Sequence, residues 1–257
     1  MKDTIVIKLG GIFLKNDIFV NDFFQKLYKY NSLYHKNIVI VHGGGYWIQD
    51  ILKNLSFNKN SAYFDNYKID NNVNNYFKSG LILGIVNQHL LKYAQINQIN
   101  SIGSNLTNGK LVTINVSNGM NYEYLFSLQF IENLFLNDIT PIISPIGIAN
   151  NNMSVIIDSD IAAMLLAKAL HAKLLIFTDV TGVLDGKGNI INTIDPIMAH
   201  QLISEGVIND GMVIKVNSAI HLAQHSKNSV NIMNCMNIAD FKTIFDNPCC
   251  GTSITHK

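Results

Sequence analysis

The chain has 257 residues, of which 48% are hydrophobic and 14% charged, and its formal net charge is +1. Such a composition excludes intrinsic disorder, which needs much charge and little apolar side chain, and the near-zero net charge provides no global field toward nucleic acid or an anionic membrane. No apolar run reaches the roughly 18 residues of a bilayer-spanning helix, and the length suits one large domain or two small lobes.

In chain order, Ile5–Leu9 reads as a strand, and Asp17–Tyr34 has a helical rhythm carried by Ile18, Phe23, Leu27, Tyr30 and Tyr34. Asn37–Val41 is a continuous apolar run, the mark of a strand covered on both faces. A helix opened by glycines follows over Tyr46–Leu55. Ser79–Ala94 is predicted helical, Ile99–Ile102 a strand and Leu125–Leu136 a helix. Ile139–Ser144 is a strand with Pro141 near its start, where a missing N–H is tolerated. Ser159–Leu170, rich in Ala and Leu, is a helix. Lys173–Thr178 is a buried strand, Asp195–Ser204 and Lys215–His225 are helices, Val230–Met233 is a strand, Ala239–Phe245 a helix and Thr252–Thr255 a last short strand. Strands alternating with helices predict an α/β fold whose mainly parallel sheet carries helices on both faces. Two polar stretches, Asn58–Lys78 and Gly109–Tyr124, break the rhythm and are expected to form hairpins or lids outside the sheet, and the Asn-rich Asn71–Asn75 reads as a loop.

All 19 basic residues are Lys, and Asn, Ile and Tyr are also abundant. We read this bias as drift in an AT-rich genome, which the base composition of the gene tests. The cysteines Cys235, Cys249 and Cys250 are too few for a disulfide framework, and the Cys249–Cys250 pair is a weak metal half-site, so no protein-bound metal is expected. The N-terminus shows no signal-peptide pattern, and a reducing cytoplasm is the expected compartment.

Five motifs carry chemistry. In I-K-L-G-G (Ile7–Gly11) a strand ends in two glycines beside Lys8, which pairs close backbone approach with a mobile positive charge. In V-H-G-G-G (Val41–Gly45) three glycines at a helix start form a nest of N–H groups suited to an anion; His42, alone at a strand end, reads as structural. D-S-D-I-A-A (Asp158–Ala163) opens the Ala-rich helix, so that one carboxylate caps it and the other is left to orient lysines. T-D-V-T-G-V-L-D-G-K-G (Thr178–Gly188) is a Gly-rich acidic turn after a buried strand, where open α/β sheets bind ligands. N-D-G-M-V-I-K-V-N-S-A (Asn209–Ala219) leads into a helix bearing Lys215.

In this order and spacing the motifs resemble the amino acid kinase family, and within it the branch that phosphorylates N-acetyl-L-glutamate. The resemblance runs from Ile5 to Ile254, ends on G-T-S-I (Gly251–Ile254), and is weakest over Asn58–Asn151. It implies an open, mainly parallel sheet of about eight strands between helices. Residues 1–150 would form a lobe for the acyl substrate and for dimerisation, and residues 151–257 a lobe for ATP. The implied reaction carries the γ-phosphoryl group of ATP to the side-chain carboxylate of N-acetyl-L-glutamate, with Mg2+ bound mainly through the nucleotide phosphates. By the same resemblance Lys8 bridges the transferring phosphate, Lys215 neutralises the leaving β-phosphate and Asp160 holds both lysines. Gly10, Gly11, Gly44 and Gly45 would donate backbone N–H groups, with Gly44 and Gly45 beside the acyl substrate. Asp179, Val180, Thr181, Gly182, Val183, Leu184, Val207, Ile208 and Asn209 fall where the family binds the nucleotide.

The departures lie in the acyl pocket. The family's clamping arginine corresponds to Lys68, in Asp65-Asn66-Tyr67-Lys68, which keeps the charge but lacks the bidentate fork. A substrate-binding asparagine corresponds to Ile156, and a glycine–acid motif is weakened to Leu106-Thr107-Asn108-Gly109. Two other readings therefore stand beside the first, namely a related kinase with another small carboxylate acceptor and a nucleotide-binding module whose catalysis has decayed. Lys8, Asp160 and Lys215 together argue against the latter, because those charges serve a phosphate and not the fold. Arginine-inhibited family members carry an additional N-terminal helix that links dimers into hexamers. Only three residues precede the first strand here, so an arginine-insensitive homodimer is expected, with Tyr76, Leu81, Leu83 and Leu90 as interface candidates or, alternatively, members of the chain's own core.

Overall fold

The computed structural model describes residues 3–11, 13–45, 47–51, 77–117, 121–234, 241–246 and 251–256. Its strands are β1 (Thr4–Leu9), β2 (Asn37–His42), β3 (Ser101–Asn105), β4 (Val112–Ser117), β5 (Asn121–Phe126), β6 (Thr140–Ser144), β7 (Ile146–Ile148), β8 (Ser154–Ile156), β9 (Lys173–Thr178), β10 (Thr193–Ile194), β11 (Val230–Asn234) and β12 (Thr252–Ile254). The helices are α1 (Asp17–Tyr34), α2 (Gln88–Ile96), α3 (Gln129–Leu136), α4 (Ser159–Ala169), α5 (Pro196–Ser204), α6 (Asp210–Ser226) and α7 (Phe241–Asp246). Residues 47–51 are helical as well, and residues 77–81 run through a π-helical turn, Ile82–Asn87, into α2.

Eight strands form one open sheet in the order β10-β12-β11-β9-β1-β2-β6-β3. The six from β11 to β3 are parallel, while β12 runs antiparallel beside β11 and β10 runs with β12. The α/β class and the mainly parallel sheet are as the alternation of strands and helices leads one to expect, and its eight strands are the number the family resemblance implies. Both faces of the central strands are apolar because both are covered. Ile5, Ile7 and Leu9 of β1 pack with α1, α2 and α7, whereas Val6 joins the core shared with α3, α4 and α6. Strand alternation then decides what the sheet presents. Lys8, in phase with Val6, leaves β1 on the α4 side. His42, in phase with Ile38 and Ile40, leaves β2 on the α2 side.

Local signals fix the helix ends. Asn16 accepts the Ile18 and Phe19 N–H groups at the start of α1, which closes at His35 in the left-handed region (φ 47°). Asp195 caps α5 ahead of Pro196, a favourable first-turn proline. Other expectations shift. Leu125 and Phe126 belong to β5, so the helix begins at Gln129, because the apolar run masks the strand end. Helix α6 begins at Asp210, five residues before Lys215, since the Asp210–Gly211 pair reads as a turn but forms the first helical turn. The β7–β8 hairpin carries no sequence signal strong enough to mark it. Gly109–Tyr124 does form a hairpin, β4–β5, outside the main sheet, while most of Asn58–Lys78 lies outside the described residues. Leu90 is buried in the chain's own core, with Leu81 and Leu83 packed partly against it, and Tyr76 lies outside the described residues.

Gly251, immediately before β12, has φ +127°, and a Cβ there would stand 2.4 Å from the Ile232 carbonyl oxygen. Gly251→Ala is therefore expected to lower stability by at least about 1–3 kcal/mol, the usual cost of a strained backbone region, read as a lower urea midpoint. An unchanged midpoint would contradict this backbone assignment.

Candidate active site

β1 and β9 are adjacent, but their onward connections part: β1 leads through α1 to β2 on one side, and β9 leads through α5 and α6 to β11 on the other. Such a divergence leaves a crevice beyond the carboxyl ends of the two strands, where open α/β sheets bind ligands. Lys8 and Thr178 both stand at this end.

Helix α4 aims a carboxylate into the crevice. Its N-cap is Asp158, whose Oδ1 accepts the N–H groups of Asp160 (2.8 Å) and Ile161 (3.2 Å). With Asp158 occupied in capping, Asp160 turns its side chain to the sheet. Its Oδ1 lies 2.7 Å from the Lys8 ammonium and its Oδ2 lies 3.7 Å from that of Lys215. Within the described residues no conventional hydrogen bond reaches Oδ1, so that oxygen is left to Lys8. Lys8 and Asp160 are buried, while Lys215 remains about a quarter exposed. Lys215 also donates to Thr178 Oγ1 (3.5 Å), and Thr178 donates to Asp179 Oδ1 (2.9 Å). Two ammonium groups share the one carboxylate of Asp160, with the exposed Asp179 one hydrogen bond further out through Thr178, so both lysines keep N–H donors for a ligand in a setting where electrostatic interactions exceed their strength in water. The arrangement suits a polyanion.

The two glycine loops converge here. A Cβ on Gly43 would lie 3.0 Å from Ser159 Oγ and 3.8 Å from the Gly11 nitrogen, and one on Gly44 would lie 3.1 Å from Val86 Cγ2. A side chain at either position would therefore press on its neighbour, Ser159 or Val86, by a few tenths of an ångström. Gly45 is exposed, and among the described residues nothing lies within 4 Å of where a Cβ would stand. Gly10 departs from its expected role as an anion donor: its N–H donates to the Phe177 carbonyl (3.1 Å). This amide ties β1 to β9 and is committed within the fold.

The segments expected to meet a nucleotide divide by exposure. Asp179, Thr181, Leu184 and Asn209 are exposed and Val180 and Val207 half-buried, whereas Gly182, Val183 and Ile208 are buried. The Val183 N–H donates to Thr252 Oγ1 (2.7 Å), and Asn209 is the N-cap residue of α6. On the acyl side, Ile156 is half-buried in β8, pairs with Ile146 and packs on the core beside α2. Asp65, Asn66, Tyr67 and Lys68 lie outside the described residues. Sequence reasoning passed over the buried Ser79–Ser154 hydroxyl pair (3.2 Å) and assigned no role to Thr178, although the quoted motif contains it. It also passed over His221 and His225, a His-x-x-x-His pair on α6 whose rings stack with centroids 4.4 Å apart. Among the described residues no group of three His, Cys, Asp or Glu could hold a metal ion. A cleft of about 500 Å³ lies at the opposite ends of the strands, lined by Thr4, Tyr34, Lys36, His171 and Lys173 among others, and contains none of these site residues. No described helix is long and apolar enough to cross a membrane.

The model of the amino acid kinase family matches residues 3–234. The acetylglutamate kinase of Buchnera aphidicola subsp. Schizaphis graminum is 32% identical over 265 residues, covering 99% of both chains, and that of Yersinia pestis (strain Pestoides F) is 32% identical over 263 residues, covering 99% of this chain and all of its own. Among solved structures, carbamate kinase from Giardia lamblia bound to AMP-PNP superposes with a TM-score of 0.71 at 20% identity, covering 100% of this chain and 99% of that one. N-acetylglutamate synthase from Neisseria gonorrhoeae, complexed with coenzyme A and N-acetyl-glutamate, gives 0.77 at 16% identity, covering 99% of this chain and 60% of that one. At such identities these two likenesses concern the fold.

Proposed function

The chain belongs to the amino acid kinase family, and we propose that it transfers the γ-phosphoryl group of ATP to the side-chain carboxylate of N-acetyl-L-glutamate. The products are N-acetyl-L-glutamyl 5-phosphate and ADP, and the step is the second of arginine synthesis. The observation that carries this reading is the Lys8–Asp160–Lys215 bridge at the crevice beyond β1 and β9. The full-length likeness to acetylglutamate kinases supports the acceptor.

In the proposed step a carboxylate oxygen attacks the γ-phosphorus, the bond to the β–γ bridging oxygen breaks, and ADP leaves with that electron pair. The acceptor is already ionised at neutral pH, so no general base is needed, and catalysis consists of positioning and charge stabilisation. Lys8 meets the oxygens of the transferring group, Lys215 the charge growing on the β-phosphate, and Asp160 keeps both ammonium groups from straying. Gly11, Gly44 and Gly45 supply backbone donors. Asp179 to Leu184 and Val207 to Asn209 border the nucleotide. Mg2+ would arrive on the nucleotide phosphates and neutralise them: Asp160 is engaged by its lysines, and the described residues form no carboxylate cluster. We assign the acyl substrate and dimerisation to residues 1–150 and the nucleotide to residues 151–257.

Lys8→Ala and Lys215→Ala are each expected to cut turnover by about 10²–10³, the usual cost of losing one preorganised charge or donor; Lys215→Ala should leave the melting temperature near that of the wild type, whereas Lys8→Ala, which leaves the buried Asp160 carboxylate without its nearer partner, should lower it as well. Asp160→Asn should lower turnover more than ATP affinity, since it frees the lysines without removing them. Near wild-type rates in any of the three would remove that residue from the mechanism.

A hydroxamate assay with ATP and a panel of acyl-amino acids tests the acceptor. Turnover of N-acetyl-L-glutamate supports the proposal, and turnover of another acid alone replaces it. That second reading is favoured by Ile156, which offers a substrate no hydrogen bond. Ile156→Asn, and Lys68→Arg with its restored fork, should each lower the KM for N-acetyl-L-glutamate by several-fold; no change in either would displace both residues from the acyl pocket.

We also propose a homodimer formed through the 77–96 segment, where Phe77 and Ile85 leave large apolar side chains exposed. Light scattering should give twice the chain mass, and a monomer or a hexamer would contradict it.

A further inference from the structure

The one histidine of the glycine loop is fully buried and makes no ion pair among the described residues, yet both nitrogens of its ring are engaged. His42 Nδ1 lies 2.8 Å from the Gly43 carbonyl oxygen, and His42 Nε2 lies 3.0 Å from Asn87 Nδ2. Asn87 Nδ2 also donates to the Ile142 carbonyl (2.9 Å). A carbonyl oxygen only accepts, so Nδ1 must carry a proton. An amide NH2 only donates, so Nε2 must present its lone pair. The two contacts select one tautomer. Burial holds the His42 pKa down at about 4, against the smaller upward pull of the Gly43 hydrogen bond, and so keeps the ring neutral at physiological pH.

The surroundings are built to hold this pair. Asn87 ends the π-helical turn and shares the sheet-facing stripe with Val86 and Leu90, all buried. β3 passes directly beneath it, where a Cβ on Gly103 would lie 2.0 Å from Asn87 Oδ1; only glycine leaves that room. His42 and Lys8 leave the sheet on opposite faces. In a trans peptide the C=O and the following N–H point in opposite directions. A ring that holds the Gly43 carbonyl toward the α2 side therefore turns the Gly44 N–H toward the other side, where Lys8 and Asp160 lie.

We propose that His42 and Asn87 are positioning residues for phosphoryl transfer: Asn87 locks His42 as the Nδ1–H tautomer, and His42 orients the Gly43–Gly44 peptide so that its N–H faces the reacting groups. The proposal rests on the reading of Gly44 as a donor in the site. Neither residue touches substrate. Their effect passes through one peptide plane, which replaces the structural role the sequence suggests for His42.

Nitrogen-15 NMR of the histidine rings in the full-length enzyme tests the first link. The expected result is a protonated Nδ1 and an unprotonated Nε2 for His42 at neutral pH; an imidazolium or an Nε2–H tautomer overturns the proposal. Kinetics test the second link, using whichever acceptor in the hydroxamate panel turns over, so that a wrong acceptor and a wrong positioning role give different results. His42→Asn retains an amide donor near the Nδ1 position, whereas His42→Gln places its amide near Nε2. His42→Gln and Asn87→Leu are expected to lower kcat by about 10–10²-fold, part of what a whole oxyanion donor is worth, with the KM for ATP within about threefold of wild type. His42→Asn should recover most of kcat. Equal kcat for the Asn and Gln variants, or a loss confined to melting temperature, overturns the proposal. Should those variants fail to fold, the isosteric Asn87→Asp, which takes the donor away from His42 Nε2, is read in their place, with the same loss of kcat expected and an unchanged kcat overturning the proposal.

Discussion

A single carboxylate, that of Asp160, is buried against one ammonium group at 2.7 Å and faces a second at 3.7 Å. Removing such charges from water is costly and is repaid only if each partner arrives in place. Three unrelated local rules deliver them. Strand alternation puts Lys8 on the α4 side of β1. Asp158 occupies the cap position of α4 and so leaves Asp160 free to turn inward. Helix α6 carries Lys215 to the end of β9, where Thr178 gives it a second contact. The glycine loops can crowd together only because the strands beneath them are held in register, and Gly10 contributes directly to that register by donating across to β9.

The sheet also separates two kinds of work. On the α4 side stand the charges that would meet a polyphosphate. On the α2 side stand His42 and Asn87, neutral and closed off from solvent. A polar pair in a core is tolerated when its groups are matched, and here both ring nitrogens of His42 and the NH2 of Asn87 are matched, by the backbone carbonyls of Gly43 and Ile142 and by each other.

Much of this was legible in the sequence. The central strands announce themselves as apolar runs because both faces are covered, and the Asp158–Ser159–Asp160 spacing already separates a capping carboxylate from a free one. What was not legible depends on distance along the chain. His42 and Asn87 are 45 positions apart, and no local pattern joins a strand-end histidine to an asparagine in a π-helical turn. The amide of Gly10 looked available because its acceptor, Phe177, belongs to a strand far downstream. The β7–β8 hairpin is too short to show a period, and the end of β5 is hidden by the apolar run that continues into α3. The acyl pocket was the least readable region, since Lys68 sits in a polar stretch without periodicity.

The central position of β1 also governs how the molecule is made. β1 pairs with β2 about 33 residues on, as Thr4 meets Asn37, but its other edge waits for β9, where Ile5 meets Lys173, 168 residues later. At ribosomal rates of about 5–20 residues per second, that edge goes without its partner for on the order of 10–30 s, and the crevice cannot exist until it closes. Parallel pairings of such long sequence separation are slow to form and exposed to aggregation meanwhile. Newly made chains should therefore depend on chaperones through this interval, and a ribosome stalled before residue 178 would hold a sheet with a bare apolar edge at its centre.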